Sequence, residues 1–250
     1  MVNPFMTTTS PNSSLHRWLA AIAFVALTAA AQAAPFEDSM AQRTLACTGC
    51  HGAQGRAAPD GYYPRLAGKP AGYLYNQLLN FREGRRHYGL MTQLIAPLSD
   101  VYLMEIAQHF SNLDVPYPAP TPARLDAPLL AKGKQLVLTG DAARQVAACV
   151  QCHGAAMTGV TPNVPGLLGL PRDYLNAQLG AWKVGKRRAH APDCMQAVVA
   201  RLSDDDINAI SSYLAAQALP VNTKPIKPAS SAPPLANGQT AINCGNAAKP

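Results

Sequence analysis

The chain has 250 residues, with 21 Lys and Arg against 14 Asp and Glu and a net charge of +7. That length allows one large domain or two small ones. The positive surplus is moderate and sits in short clusters; nucleic acid is not the expected partner of a chain that reads as exported, and partners with acidic docking surfaces are favoured.

The first expected element is a leader. His16-Arg17 precede the apolar run WLAAIAFVALTAAA at 18–31, and Ala31-Gln32-Ala33 forms a small-x-small cleavage site. This is the layout of a secretory signal peptide over residues 1–34, cut near Ala33. A membrane-spanning helix needs about 20 apolar residues, so the run is too short for one. The mature protein is therefore expected to be exported to the periplasm, where disulfides persist.

Downstream, the chain repeats itself. LACTGCHGAQG (45–55) recurs as AACVQCHGAAM (147–157), and PRLAGKPAGYLYNQLLNFREGRR (64–86) as PGLLGLPRDYLNAQLGAWKVGKR (165–187). MTQLIAPLSD (91–100) then recurs as MQAVVARLSD (195–204). The expected organisation is a first domain at 35–114, a Pro-rich linker at 115–128, a second domain at 129–219 and a Pro-rich tail at 220–250. The linker carries five prolines and reads as stiff and extended. Each domain reads as helical: apolar residues recur at three- and four-residue spacing, and Ser99 and Ser203 precede acidic first turns as N-caps. No alternating strand stands out. The fold class expected is all-α, two tandem duplicated domains.

Two domains this small need help to organise a core, and the cysteines suggest its source. Cys-x-x-Cys-His occurs at Cys47, Cys50 and His51 and again at Cys149, Cys152 and His153. Two thiols three residues apart can form thioether bonds to the two vinyl groups of a haem, and the histidine that follows can ligate its iron. A Cys₄ zinc site would not call for a histidine after each pair. A thioredoxin-like redox pair would need a βαβ pattern that is missing. Two covalently bound haem c groups are therefore expected.

Each iron then has a sixth position to fill. Met91 and Met195 stand in register, each seven residues before the Leu-Ser that starts the last helix. A thioether ligand favours ferrous iron and raises the potential, which suits an electron carrier. Met157 lies too close to His153 to reach the opposite haem face, Met104 falls inside a helix, and Met40 has no counterpart. A ligating histidine also needs an acceptor for its other ring nitrogen, and Pro59 and Pro162 are candidates to present carbonyls. Tyr73/Tyr174, Gln77/Gln178 and the basic residues at 82–86 and 183–188 are candidates to reach haem propionates.

In combination, the leader, the two CxxCHG motifs, the P-x-L-x-G-x4-Y-L-x-x-Q-L segments, FREGRR and the two M-x6-L-S blocks resemble the dihaem cytochrome c4 family over about residues 38–218. The resemblance implies a periplasmic electron carrier of two cytochrome c-like domains related by a pseudo-twofold, with His51/Met91 and His153/Met195 as axial ligands. Redox proteins are the implied partners, among them a dehydrogenase or quinol-oxidising donor and a terminal oxidase, and association with a membrane respiratory complex fits the same role. Cys194 departs from the pattern, because Leu90 occupies the matching place before Met91. Cys194 and Cys244 are the two cysteines outside the haem motifs, and a disulfide between them is the expected use. A free thiol is the alternative. So is Cys194 as an iron ligand, which would make the protein an oxidoreductase acting on a small sulfur compound such as thiosulfate.

Overall fold

The computed structural model describes residues 37–58, 61–117, 126–228, 244–247 and 250. The leader expected at 1–34, with its cleavage site near Ala33, lies outside them, as do Pro59, most of the linker and tail residues 229–243.

The first half runs through α1 (Met40–Arg43), α2 (Leu45–His51), a 3₁₀ turn at Ala53–Gly55, α3 (Ala71–Arg82), α4 (Gly89–Ile95) and α5 (Asp100–Asn112). The second half runs through α6 (Ala127–Leu138), α7 (Cys149–His153), α8 (Arg172–Lys183), α9 (Cys194–Val199) and α10 (Asp204–Ala215). It also holds two short strands, β1 (Gly159–Val160) and β2 (Val164–Pro165), paired antiparallel. This small hairpin is an addition to the helical expectation: two residues per strand leave no alternating pattern to see. Pro128, expected in the linker, already lies in the first turn of α6, where its missing N–H costs nothing.

The last helices start as their sequences dictate. Ser99 Oγ accepts from the Tyr102 N–H (3.3 Å) and Ser203 Oγ from the Asp206 N–H (3.1 Å), with Asp206 returning a bond to the Ser203 N–H (2.9 Å). Each half has its own apolar core. The first gathers Leu74, Leu79, Ile95, Leu103, Ile106 and Phe110, and the second Leu136, Val137, Leu175, Trp182, Val199, Ile210 and Leu214. In the second core α6 crosses α10 at Gly133, where a Cβ would stand 2.1 Å from the Ala209 carbonyl oxygen. Met40 and Met104 pack against the first core, and Met157 is buried in the second.

Arg82 and Lys183 do the same work in the two halves. Arg82 donates to the Leu98 carbonyl (2.9 Å) and to Asp100, while Lys183 donates to the Leu202 carbonyl and stands 3.7 Å from Asp204. Each ties the end of one helix to the start of the last helix in its half. These two cations are structural fasteners.

Both halves belong to one compact unit beginning at Ser39, and they meet along a polar seam with approximate twofold symmetry. Arg86 donates to Gln77 (3.0 Å) and Gln178 (2.7 Å), and Arg187 donates to Gln178 (2.7 Å) and Gln77 (3.0 Å). The backbone pairs antiparallel at Arg86 and Arg187, and the Arg188 N–H donates to the Arg85 carbonyl at 2.7 Å. Gly72 allows the close approach elsewhere along the seam: a Cβ there would lie 2.1 Å from Asn163 Oδ1.

Candidate haem sites

The Cys-x-x-Cys-His segments are the short helices α2 and α7, each ending at its histidine. The glycine that follows turns the chain away with positive φ, +74° at Gly52 and +83° at Gly154. At Gly52 a Cβ would lie 2.4 Å from the Ala57 carbonyl oxygen, so glycine is required by space as well as by conformation.

Both histidines are buried, and each is oriented by a backbone carbonyl. His51 Nδ1 donates to the Pro64 carbonyl at 2.8 Å and His153 Nδ1 to the Pro165 carbonyl at 2.7 Å. These are not the prolines expected from the sequence. Pro59 lies outside the described residues, and the Pro162 carbonyl instead accepts from the Tyr73 N–H across the seam at 3.2 Å. In each half the accepting carbonyl belongs to the proline that opens the following repeat block. Pro64 and Pro165 are matched at a constant offset in the duplication, and that signal could have found them. Burial lowers the pKa of both histidines, outweighing the carbonyl bonds that raise it, so each ring is held neutral with one nitrogen free of a proton. His51 Nε2 is buried with no hydrogen-bond partner among the described residues.

That orphan nitrogen opens onto a cavity of about 1390 Å³ that runs through both halves. His51, His153, Met91, Met195 and three of the motif cysteines, Cys47, Cys149 and Cys152, line it, among apolar side chains of both cores. None of Cys47, Cys50, Cys149 and Cys152 is in a disulfide. The space, the unpartnered imidazole nitrogen and the unbridged thiols fit a haem in each half.

The cations along this cavity fit as well. Arg187 is 4% exposed, its guanidinium bonded to the two glutamines and stacked 3.8 Å over the Trp182 ring. Burial, and then the neighbouring Arg86, push its pKa down to about 10. Lys69, 4% exposed, donates to the Gly166 carbonyl across the seam at 2.7 Å; burial, and then Arg65, push its pKa down to about 7. Neither cation has a carboxylate partner among the described residues; buried charges so placed are costly, and haem brings two propionates. Tyr174, a sequence candidate for the same role, bonds Arg86 Nη2 at 3.4 Å. Lys69 and the interlocked Arg–Gln ring were not legible as a unit, because it forms only when the halves meet.

Cys194 and Cys244 are joined by a disulfide, with an S–S distance of 2.11 Å and Cα atoms 5.5 Å apart. Cys194 therefore lines the cavity beside Met195 with no thiolate to offer iron.

Residues 130–218 match the cytochrome c family model. Cytochrome c4 from Pseudomonas aeruginosa is 34% identical over 190 residues, 75% of this chain and 92% of that protein. This chain belongs to the cytochrome c4 family.

Other relatives carry a more particular description. A thiosulfate dehydrogenase electron acceptor from Thiomonas intermedia is 39% identical over 174 residues, covering 69% of this chain and 79% of that protein. Among solved structures, reduced cytochrome c4 from Pseudomonas stutzeri superposes with a TM-score of 0.61 at 30% identity, over 73% of this chain and 98% of that one. Thiosulfate dehydrogenase (TsdBA) from Marichromatium purpuratum also gives a TM-score of 0.61, at 35% identity over 68% of this chain. This cytochrome spans only 36% of that longer protein. As a member of the cytochrome c4 family, the chain is a dihaem electron-transfer protein carrying two covalently bound haem c groups.

Proposed function

We propose that this dihaem cytochrome is exported to the periplasm by a leader over residues 1–34 and accepts electrons there from a thiosulfate-oxidising dehydrogenase. In this reading the first haem is bonded through Cys47 and Cys50 and ligated by His51 and Met91. The second is bonded through Cys149 and Cys152 and ligated by His153 and Met195. What carries the reading is the pairing itself: each half offers one cavity-lining histidine, oriented by a proline carbonyl, and one cavity-lining methionine in register with its twin. The name of the Thiomonas relative supports the choice of donor.

The haem supplies a one-electron iron couple, and the chain decides its behaviour. The carbonyls of Pro64 and Pro165 hold the Nδ1 protons and so aim Nε2 inward. The methionine thioethers favour the reduced state and raise the potential. Arg86 and Arg187, locked together through Gln77 and Gln178, are positioned to hold propionates of both haems on one rigid seam. The surplus of Lys and Arg favours an acidic docking face on the partner.

Stopped-flow mixing of the oxidised dihaem protein tests this. Thiosulfate alone should leave both haems oxidised, while thiosulfate with a catalytic amount of thiosulfate dehydrogenase should deliver two electrons per chain, more slowly as salt is added. Catalytic haem reduction by thiosulfate alone would contradict the carrier role and favour an enzyme.

A further inference from the structure

The sequence leaves the tail without a role, and its described end is held in a built seat. Cys244 is bonded to Cys194, the first residue of α9 and the neighbour of Met195. The next residue, Gly245, donates its N–H to the Pro192 carbonyl at 2.9 Å and lies flat on that loop. A Cβ on Gly245 would stand 2.2 Å from the Ala191 carbonyl oxygen and 2.4 Å from that of His190, so only glycine fits. The loop under it is itself firm: Asp193 accepts from Gln196 N (3.0 Å), Ala189 N (2.6 Å) and Trp182 Nε1 (3.2 Å).

The tail then crosses to the other half. Asn76 on α3 donates from Nδ2 to Asn246 Oδ1 at 2.9 Å and accepts at Oδ1 from the Ala247 N–H at 2.9 Å. Ala247 packs against the first core, and Asn76 is buried. Neither attachment point is shared between the two copies. Where the second half has Cys194 the first has Leu90, and where the first has Asn76 the second has Ala177. The two copies differ at the places where the strap is fastened.

We propose that residues 244–247 are a positioning strap. Anchored by the Cys194–Cys244 disulfide and fastened to Asn76, the strap fixes Met195 in the second haem site and holds the two haem domains in register. This rests on Met195 being the axial ligand. Cys244 and Asn246 do not touch the iron. They act through the loop at 190–195 and through α9, whose first turn carries Met195.

The test uses the full-length dihaem protein and four variants: Cys244→Ser, Asn76→Ala, Asn246→Ala and Met195→Ala. Asn76→Ala keeps the disulfide and installs the residue the second half has at the same helix position, so it serves if Cys244→Ser fails to fold. Met195→Ala should abolish half of the ferric methionine-to-iron charge-transfer absorption. If it leaves the absorption whole, the ligand assignment is wrong and the strap proposal falls with it. With that assignment secure, Cys244→Ser should make one of the two haems about tenfold harder to reduce, a fall of about 59 mV for a one-electron couple, and leave the other unchanged. Asn76→Ala and Asn246→Ala should speed hydrogen exchange at the Gly245 and Ala247 amides at least tenfold and shift the same haem by a smaller factor. Unchanged potentials in all three strap variants, with only the melting temperature lowered, would reduce the strap to a simple staple and overturn the proposal.

Discussion

In the first half, three tyrosines surround the haem pocket beside His51. Tyr63 Oη and Tyr88 Oη are 3.0 Å apart, Tyr62 stands edge-on to Tyr63 at 4.9 Å, and Tyr63 lies edge-on to His51 at 6.0 Å. The second half has Asn163 and Val164 at the places of Tyr62 and Tyr63, and its pocket is closed by chain instead. Ile226 pairs with β1, donating to the Gly159 carbonyl at 3.0 Å and accepting from the Thr161 N–H at 2.9 Å, and residues 244–247 cover the methionine loop. Duplication preserved the cavity-lining histidine and methionine of each half and let the surroundings diverge. Axial ligation tolerates little change, whereas the wall of a pocket can be made from aromatic rings or from a returning tail.

This comparison can be broken most sharply at the two proposed methionine ligands. If the two sites are equivalent at the iron, Met91→Ala and Met195→Ala should each remove half the charge-transfer absorption. Each should also lower one potential by a few tenths of the ~0.8 V span that axial ligation commands, as read by spectroelectrochemical titration. Unequal losses would show that the sites differ at the metal and not just in their walls.

The next effect belongs to the second half alone. Gly133→Ala forces a methyl group into the Ala209 carbonyl at the α6–α10 crossing and should cost about 3 kcal/mol. Denaturant unfolding followed at each haem should show the second domain loosening first.

Asp206 sharpens the same contrast, because Tyr102 occupies its place in the first half. Its side chain is almost fully buried and accepts from Arg144 (2.6 Å), with Lys132 at 2.9 Å. Burial works to raise its pKa, but these two cations and the Ser203 N–H overcome it and hold the carboxyl well below the usual carboxylate range. A depressed native pKa stabilises fully above the unfolded value, about 3.9, and that stability is lost as the pH falls through the native one. Asp206→Asn should therefore cost about 2 kcal/mol at neutral pH and much less near pH 2, as thermal melts across that range would show. The smallest expected effect is in the first half: Tyr63→Phe removes the Tyr63–Tyr88 hydrogen bond and should cost about 1 kcal/mol, lowering the melting temperature without moving the second haem's potential.

The sequence made legible whatever repeats or follows a local rule. The CxxCH pairs, the two methionines in register, the Ser99 and Ser203 caps and the Cys194–Cys244 bridge could all be read from spacing, composition and elimination. What lay beyond reach depends on contacts between distant segments. The Arg86–Gln77–Gln178–Arg187 ring exists only because two copies pack face to face. Asn76 gave no sign of its purpose, since its partners are 170 and 171 residues away.

In the proposed reading each of the two haems is held by one histidine and one methionine, and the protein passes electrons between partners. Near-infrared magnetic circular dichroism of the fully oxidised protein tests this most directly, because it counts methionine-ligated ferric haems. Two per chain are expected, unchanged when thiosulfate is added. One methionine-ligated haem beside one of different ligation, or a spectrum that thiosulfate alone alters, would contradict it.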